Sequence, residues 1–140
     1  MKAITIIQPY AHLIATGVKR VENRSWPTSY RGPIAIHAGK AKSYGGEPVE
    51  DIAQSYDIDQ AVLVYGAVIA TANLIDCVRL IDPAPLRRTR LTPPDWAKKK
   101  YPWLADHEHT EGPVCWVLDN VQRIDPVFVN GAQGLWEWKR

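Results

Sequence analysis

Apolar and polar positions alternate weakly over residues 3–7, a run rich in Ile that reads as a buried strand. Pro9 suits the first turn of a helix, in which Tyr10, Leu13 and Ile14 share a face and which Gly17 is placed to end. Lys19 to Ser25 reads as a second strand. Ile34, Ile36 and Ala38 fall on one face of a third, after a turn-prone stretch holding Pro27, Gly32 and Pro33. The clearest helix spans 48–56: Val49, Ile52, Ala53 and Tyr56 recur at helical spacing, and Glu47, Glu50 and Asp51 complement the dipole at its start. From Val62 to about Leu80 the chain is β-branched and apolar on both faces, which predicts a central strand pair or one long curved strand with Gly66 at a bulge or bend. Thr92-x-x-Asp95 has the form of a capping box opening a short helix that Pro102 stops. Strand candidates follow at 113–118, at 121–129 with an interruption at Asp125-Pro126, and at 135–139. Many short strands with a few interspersed helices predict a mainly β fold with peripheral helices (α+β), a curved sheet or barrel rather than a parallel α/β fold.

Length limits the chain to one core, so 140 residues without repeat, low-complexity tract or dividing linker read as a single domain over 1–140. The apolar stretch 62–81 contains Asn73, Asp76 and Arg79, which a membrane-spanning helix accommodates only at considerable cost. The start is too short, and too soon followed by Pro9, to read as a signal peptide. Cys77 and Cys115 both sit in apolar runs without C-x-x-C spacing; they read as reduced and buried, and the expected location is cytoplasmic. Net charge is only +2, yet it is distributed in blocks. Residues 1–46 carry seven Lys/Arg against one acid and 87–104 six against one, whereas 47–86 carry one against seven and 105–140 three against six. Two basic blocks brought together would form a face for a phosphate backbone; a solvated surface is the equal alternative on charge alone.

The chemistry concentrates in Gly17-Val18-Lys19-Arg20-Val21-Glu22-Asn23-Arg24, continued by Ser25-Trp26-Pro27 and Tyr30-Arg31-Gly32. If 20–24 is extended, Glu22 and Arg24 share a face two residues apart, and a carboxylate beside a guanidinium presents a fixed donor–acceptor pair to a ligand. A surface ion pair is the plain alternative. Trp26 and Tyr30 follow in the next loop. An aromatic ring beside such a pair makes a slot for an unstacked base, unless Trp26 serves only to plug the end of the barrel.

Gly17, Lys19, Glu22 and Arg24 match the G-x-K-x-x-E-x-R signature, and the chain resembles the ASCH domain family of the PUA-like superfamily. Gln8-Pro9, Trp26, Tyr30-Arg31-Gly32, Ile36-His37-Ala38 and the closing Gly131-Ala132-Gln133-Gly134-Leu135-Trp136 look like the motifs around that signature, so the resemblance covers most of the chain, least diagnostically over 40–112. It implies a PUA-like pseudobarrel with a cleft that binds RNA or a nucleoside and receives a single, modified base. Gln8, Lys19, Glu22, Arg24, Trp26, Tyr30, Arg31 and His37 become the ligand-binding candidates. One bacterial branch of the family is an amidohydrolase that deacetylates an N4-acetylated cytidine with a Lys, a Thr and a Glu. Lys19 matches the lysine, but Glu22 stands where the threonine is expected, and the second acid is left open among Asp95, Glu108 and Glu111.

Lys19 and Glu22 are therefore the catalytic candidates if the chain is an enzyme, although a carboxylate this close favours the ammonium form, which cannot accept a proton. Arg87, Arg88, Arg90, Lys98, Lys99 and Lys100 are candidate phosphate contacts, or a solvated face. His107, Glu108, His109 and Glu111 can be imagined as metal ligands, since some members of the family are metal-dependent ribonucleases, but a solvated polar loop is the expected reading; no cofactor is called for unless the ribonuclease alternative, with manganese or another divalent ion, holds. His37 faces either the cleft or a hydrogen-bonded core, and His12 is expected on the exposed side of the first helix. Trp136 and Trp138 are expected to pack. A peptide-binding interaction module is the remaining alternative.

Overall fold

The computed structural model describes residues 1–84 and 90–139. The described chain is mainly β with peripheral helices, as the hydrophobic pattern predicts. Its elements are β1 (Lys2–Ile6), α1 (Tyr10–Ala15), β2 (Val21–Arg24), β3 (Gly32–Ala38), β4 (Ser43–Tyr44), β5 (Glu47–Pro48), α2 (Val49–Ser55), β6 (Ala67–Arg79), α3 (Asp95–Lys100), β7 (Val114–Phe128) and β8 (Leu135–Glu137). A short 3-10 turn occupies Gln60–Val62. The chain forms two compact units: Met1–Val18 with Pro33–Asn73 and Asn120–Arg140, and Lys19–Gly32 with Leu74–Asp119.

In the first unit β1 lies between β3 and β8. It pairs parallel with β3, Lys2 opposite Ile34 through Ile6 opposite Ala38, and antiparallel with β8, Ala3 opposite Trp136. Parallel pairing requires a crossover, and the chain between β1 and β3 supplies α1. Gly17 ends α1 as expected: it takes φ 82 directly after the helix cap, and its N–H bonds the Ile14 carbonyl at 3.0 Å. Both closing tryptophans pack, in a cluster with Ala3, Ala35 and Val68. Val49 and Ala53 of α2 bury against Leu63, with Ile58 and Tyr65 at the margin.

The second unit pairs β2 antiparallel with the first part of β7, Val21 opposite Val117 through Arg24 opposite Val114. Its core gathers Val21, Val78, Leu80, Cys115 and Val117 with Ala97, Tyr101 and Leu104 from α3 and the turn after it.

Several boundaries differ from expectation: the strands read separately at 113–118 and 121–129 are one, β7, and β2 starts at Val21 rather than Lys19. The apolar run expected to be strand from Val62 begins as the 3-10 turn, and β6 starts only after Gly66, which takes φ 71. Asp125-Pro126 does not interrupt β7; this part of the strand is exposed, where a residue without an N–H is tolerated. Thr92 does not cap α3. Its backbone is engaged with Ile81 in both directions at 2.8 Å, and extended Pro94 takes the cap position without a side-chain bond. The helix does stop before Pro102, with Tyr101 at φ -128 and ψ 78, outside the helical region that a following proline disfavours.

Candidate functional site

Lys19, two residues before β2, and Glu22 and Arg24 on it form a row of charged side chains. Lys19 Nζ donates to Glu22 Oε1 at 3.0 Å and to the Val21 carbonyl at 2.8 Å; the Asn23 N–H reaches the same carboxylate oxygen at 3.2 Å. Arg24 Nη2 donates to Glu22 Oε2 at 2.9 Å, so one carboxylate holds two cations, one on each oxygen. Side-chain exposure rises along the row from 5% at Lys19 and 11% at Glu22 to 24% at Arg24. The ammonium is thus the buried end and the guanidinium the end that solvent reaches. A surface ion pair does not describe this arrangement: its inner half is desolvated, and it persists because each charge has hydrogen-bond partners.

Asn23 lies between the two charged residues of the strand and works on the neighbouring segment. Its Oδ1 accepts from the N–H groups of Glu111 and Gly112 at 3.1 and 2.8 Å, and its Nδ2 donates to the His109 carbonyl at 2.8 Å. The signature treats this position as variable, so only the type, an amide with both donor and acceptor, hints at the role. Cys115 also lies against Asn23 Oδ1, and burial pushes its thiol up to about 11, which makes it an inert core group. Cys77, expected to be buried, is only half so, with Arg31 Nη1 at 3.8 Å.

Trp26 remains 37% exposed. Its ring meets Trp116 edge to face at 4.8 Å between centroids, and Trp116 Nε1 donates to the Trp26 carbonyl at 3.0 Å. Trp116 is fully buried opposite Glu22, and its part in fixing Trp26 was hidden in an apolar strand that reads as core. Tyr30 is half-buried. Arg31 clamps its own loop through the Thr28 and Tyr30 carbonyls at 2.7 and 2.8 Å and turns toward Asp76 at 3.8 Å. Asp76 also takes Tyr101 Oη at 2.8 Å and Lys100 Nζ at 3.2 Å, and this contact raises the lysine above its ordinary value.

The histidine segment is not a solvated loop. His107 Nε2 accepts the Arg20 N–H at 3.0 Å, its ring meets Trp103 at 5.4 Å, and the Arg20 guanidinium lies 3.6 Å over that same indole. His109 is buried, 5.6 Å from His107 between ring centroids. Both imidazoles are held below their ordinary value, first by burial and then by neighbouring cations and, for His107, by His109. Among the described residues no three His, Cys, Asp or Glu side chains gather as metal ligands.

Within the first unit Gln8 and His37 have defined partners. Gln8 is fully buried; Oε1 accepts the His12 N–H at 2.9 Å, closing the first turn of α1, while Nε2 donates to the Val64 carbonyl at 2.8 Å. His37 is a core histidine. A carbonyl only accepts, so Nε2–H donates to Val129 at 2.7 Å; Trp136 Nε1 donates to Thr5 Oγ1 at 3.2 Å, and that hydroxyl donates on to His37 Nδ1 at 3.1 Å. His12 does not lie on an exposed face: it is half-buried and lines a cleft of about 340 Å³ with Gln8, Val64, Arg123 and Asp125. Burial, and then the Arg123 charge, lower its affinity for a proton.

Of the expected phosphate contacts, Arg87 and Arg88 lie outside the described residues. Arg90, exposed, donates to the Thr110 carbonyl at 2.9 Å. Lys98, Lys99 and Lys100 end α3 on its solvent side. No described helix is long and apolar enough to cross a membrane.

The ASCH domain family model matches residues 4–128. Activating signal cointegrator 1 of Homo sapiens is 27% identical over 141 residues, covering 96% of this chain and 22% of that protein; its Mus musculus counterpart is 32% identical over 82 residues, covering 54% and 14%. The chain thus spans about a fifth or less of the length of these relatives.

Proposed function

Because the chain belongs to the ASCH domain family and has its PUA-like pseudobarrel fold, we propose that it is a binding module for RNA or a nucleoside and that the row ending at Arg24 contacts a base, a modified one included. The observation that carries this reading is the carboxylate of Glu22 fixed between Lys19 and Arg24, with the guanidinium as the solvent-reached end. A guanidinium immobilised in this way offers planar donors to a base edge or a phosphate without losing side-chain entropy on binding. Trp26, held edge to face by Trp116 and partly exposed, supplies the stacking surface, worth about 1–3 kcal/mol per base. Tyr30 and Arg31 support that loop, Gln8 and His37 support the first unit, and Arg90 with Lys98, Lys99 and Lys100 add phosphate contacts.

The hydrolase alternative asks Lys19 to accept a proton, whereas its Nζ donates to a carbonyl and a carboxylate, the arrangement of a positioning ammonium. Arg24→Lys separates recognition from simple charge. It keeps the cation and removes the planar fork, so binding of single-stranded RNA and of modified nucleosides weakens if a base edge is read there. Unchanged affinity in the Arg24→Lys and Trp26→Ala variants together would remove this site from the function. Release of acetate from N4-acetylcytidine would establish the enzyme instead.

A further inference from the structure

α3 carries a large aromatic side chain that no signature motif accounts for. Trp96 is 51% exposed on a six-residue helix. The helix is anchored from its other side: Ala97 and Tyr101, four residues apart, bury into the core with Leu104, and the Ala97 and Lys98 N–H groups both reach the Pro94 carbonyl at 3.0 Å. Lys99 and Lys100 stand three and four residues beyond Trp96 and so on its side of the helix. Lys100 is tied to Asp76 at 3.2 Å, and Asp76 also holds Tyr101, so the end of the helix is fixed to β6.

An indole left half in water on a firmly seated helix, one turn from exposed ammonium groups, has the two elements of a single-strand platform, a stacking face and backbone charge. We propose that α3 is a second contact for single-stranded RNA: an unpaired base stacks on Trp96, and the adjoining phosphates pass Lys99. This rests on the RNA-binding reading above and extends it to a site outside the signature. A lipid surface fits less well, because interfacial helices bury a broad apolar face and α3 exposes one ring among charges.

The test uses the full chain and a fluorescently labelled oligouridylate of about a dozen nucleotides, the scale of one such site. Trp96→Ala weakens binding about tenfold, leaves the salt dependence of affinity unchanged and keeps the melting temperature, while Trp96→Phe restores most of the loss. If Trp96→Ala binds as the parent does while Arg24→Lys is weakened, α3 has no part in binding and the signature site stands alone. If the parent protein binds neither oligouridylate nor any nucleoside, the RNA reading itself fails and this site falls with it. Trp96-dependent binding to phosphatidylserine–phosphatidylcholine vesicles, with no Trp96 dependence on RNA, assigns the ring to a membrane and overturns the proposal.

Discussion

Lys19 donates inward to Val21 and Glu22 from a position almost closed to water, so removing its ammonium leaves a carboxylate that, among the described residues, has Arg24 as its cationic partner. Lys19→Met should destabilise the fold by about 3–5 kcal/mol, the usual cost of breaking one side of a buried pair, measured by urea denaturation. Adding Glu22→Met should recover part of that loss, because the uncompensated charge goes with it; a double variant less stable than Lys19→Met would show that Glu22 is needed for Arg24 rather than for Lys19. Gly131 rests on packing instead. A Cβ there would stand 2.7 Å from the His37 ring, which is held at both nitrogens and cannot yield, so Gly131→Ala should cost about 1–3 kcal/mol in the same measurement. At this scale the sequence shows residue types and spacing: that Glu22 and Arg24 share a face follows from strand period alone. That Lys19 reaches back to the same carboxylate does not, since the residue precedes the strand and its direction depends on the turn.

Between the residue before β2 and the turn that follows α3, the contact is made by His107 as an acceptor. His107 accepts a backbone N–H from Arg20 through Nε2, so a proton there removes the acceptor and places a cation among Arg20, Lys19 and His109, with Glu108 opposing the effect of these groups. Because burial holds His107 and His109 below the ordinary value of 6.5, the unfolded chain takes up protons first as pH falls. Stability should therefore be level above about pH 7 and decline progressively below 6.5, read as the denaturation midpoint across that range. His12 adds to the decline with the same sign. His107→Gln, which retains an acceptor for Arg20 without a titrating ring, should flatten the profile, and an unchanged slope would show that His107 is not a source of it. The elements themselves were largely legible, because α2 and β3 carry strong period signals. The histidine segment reads as solvated, which Glu108 and Glu111 are; His107 and His109 differ, and the contact of His107 with Arg20, 87 positions away, has no sign in the sequence.

At the scale of the whole molecule, charge blocks along the chain overstate the charge available to a partner. The first block has seven cations against one acid, yet in the structure nearly all of them are occupied: Lys2 by Glu137 at 2.9 Å, Lys19 and Arg24 by Glu22, Arg20 by Trp103, Lys40 by Asn130 and Lys42 by the Tyr65 ring. One of these acids, Glu22, belongs to the block and holds two of its cations, and the other partners, Glu137 and Asp76 among them, come from distant positions that block counting does not pair. Lys98 and Lys99 differ: both are exposed, and among the described residues neither is held in an ion pair. Each phosphate neutralised on a single strand contributes about 0.7 to the slope of log affinity against log salt. Lys98→Gln with Lys99→Gln should therefore lower that slope for single-stranded RNA by about 1.4 if both lysines make contacts. Lys2→Gln, which removes a cation already committed to Glu137, should leave the slope where it was. Equal losses from the two changes would mean that the protein senses only its net charge, and that α3 offers no local path for a phosphate backbone.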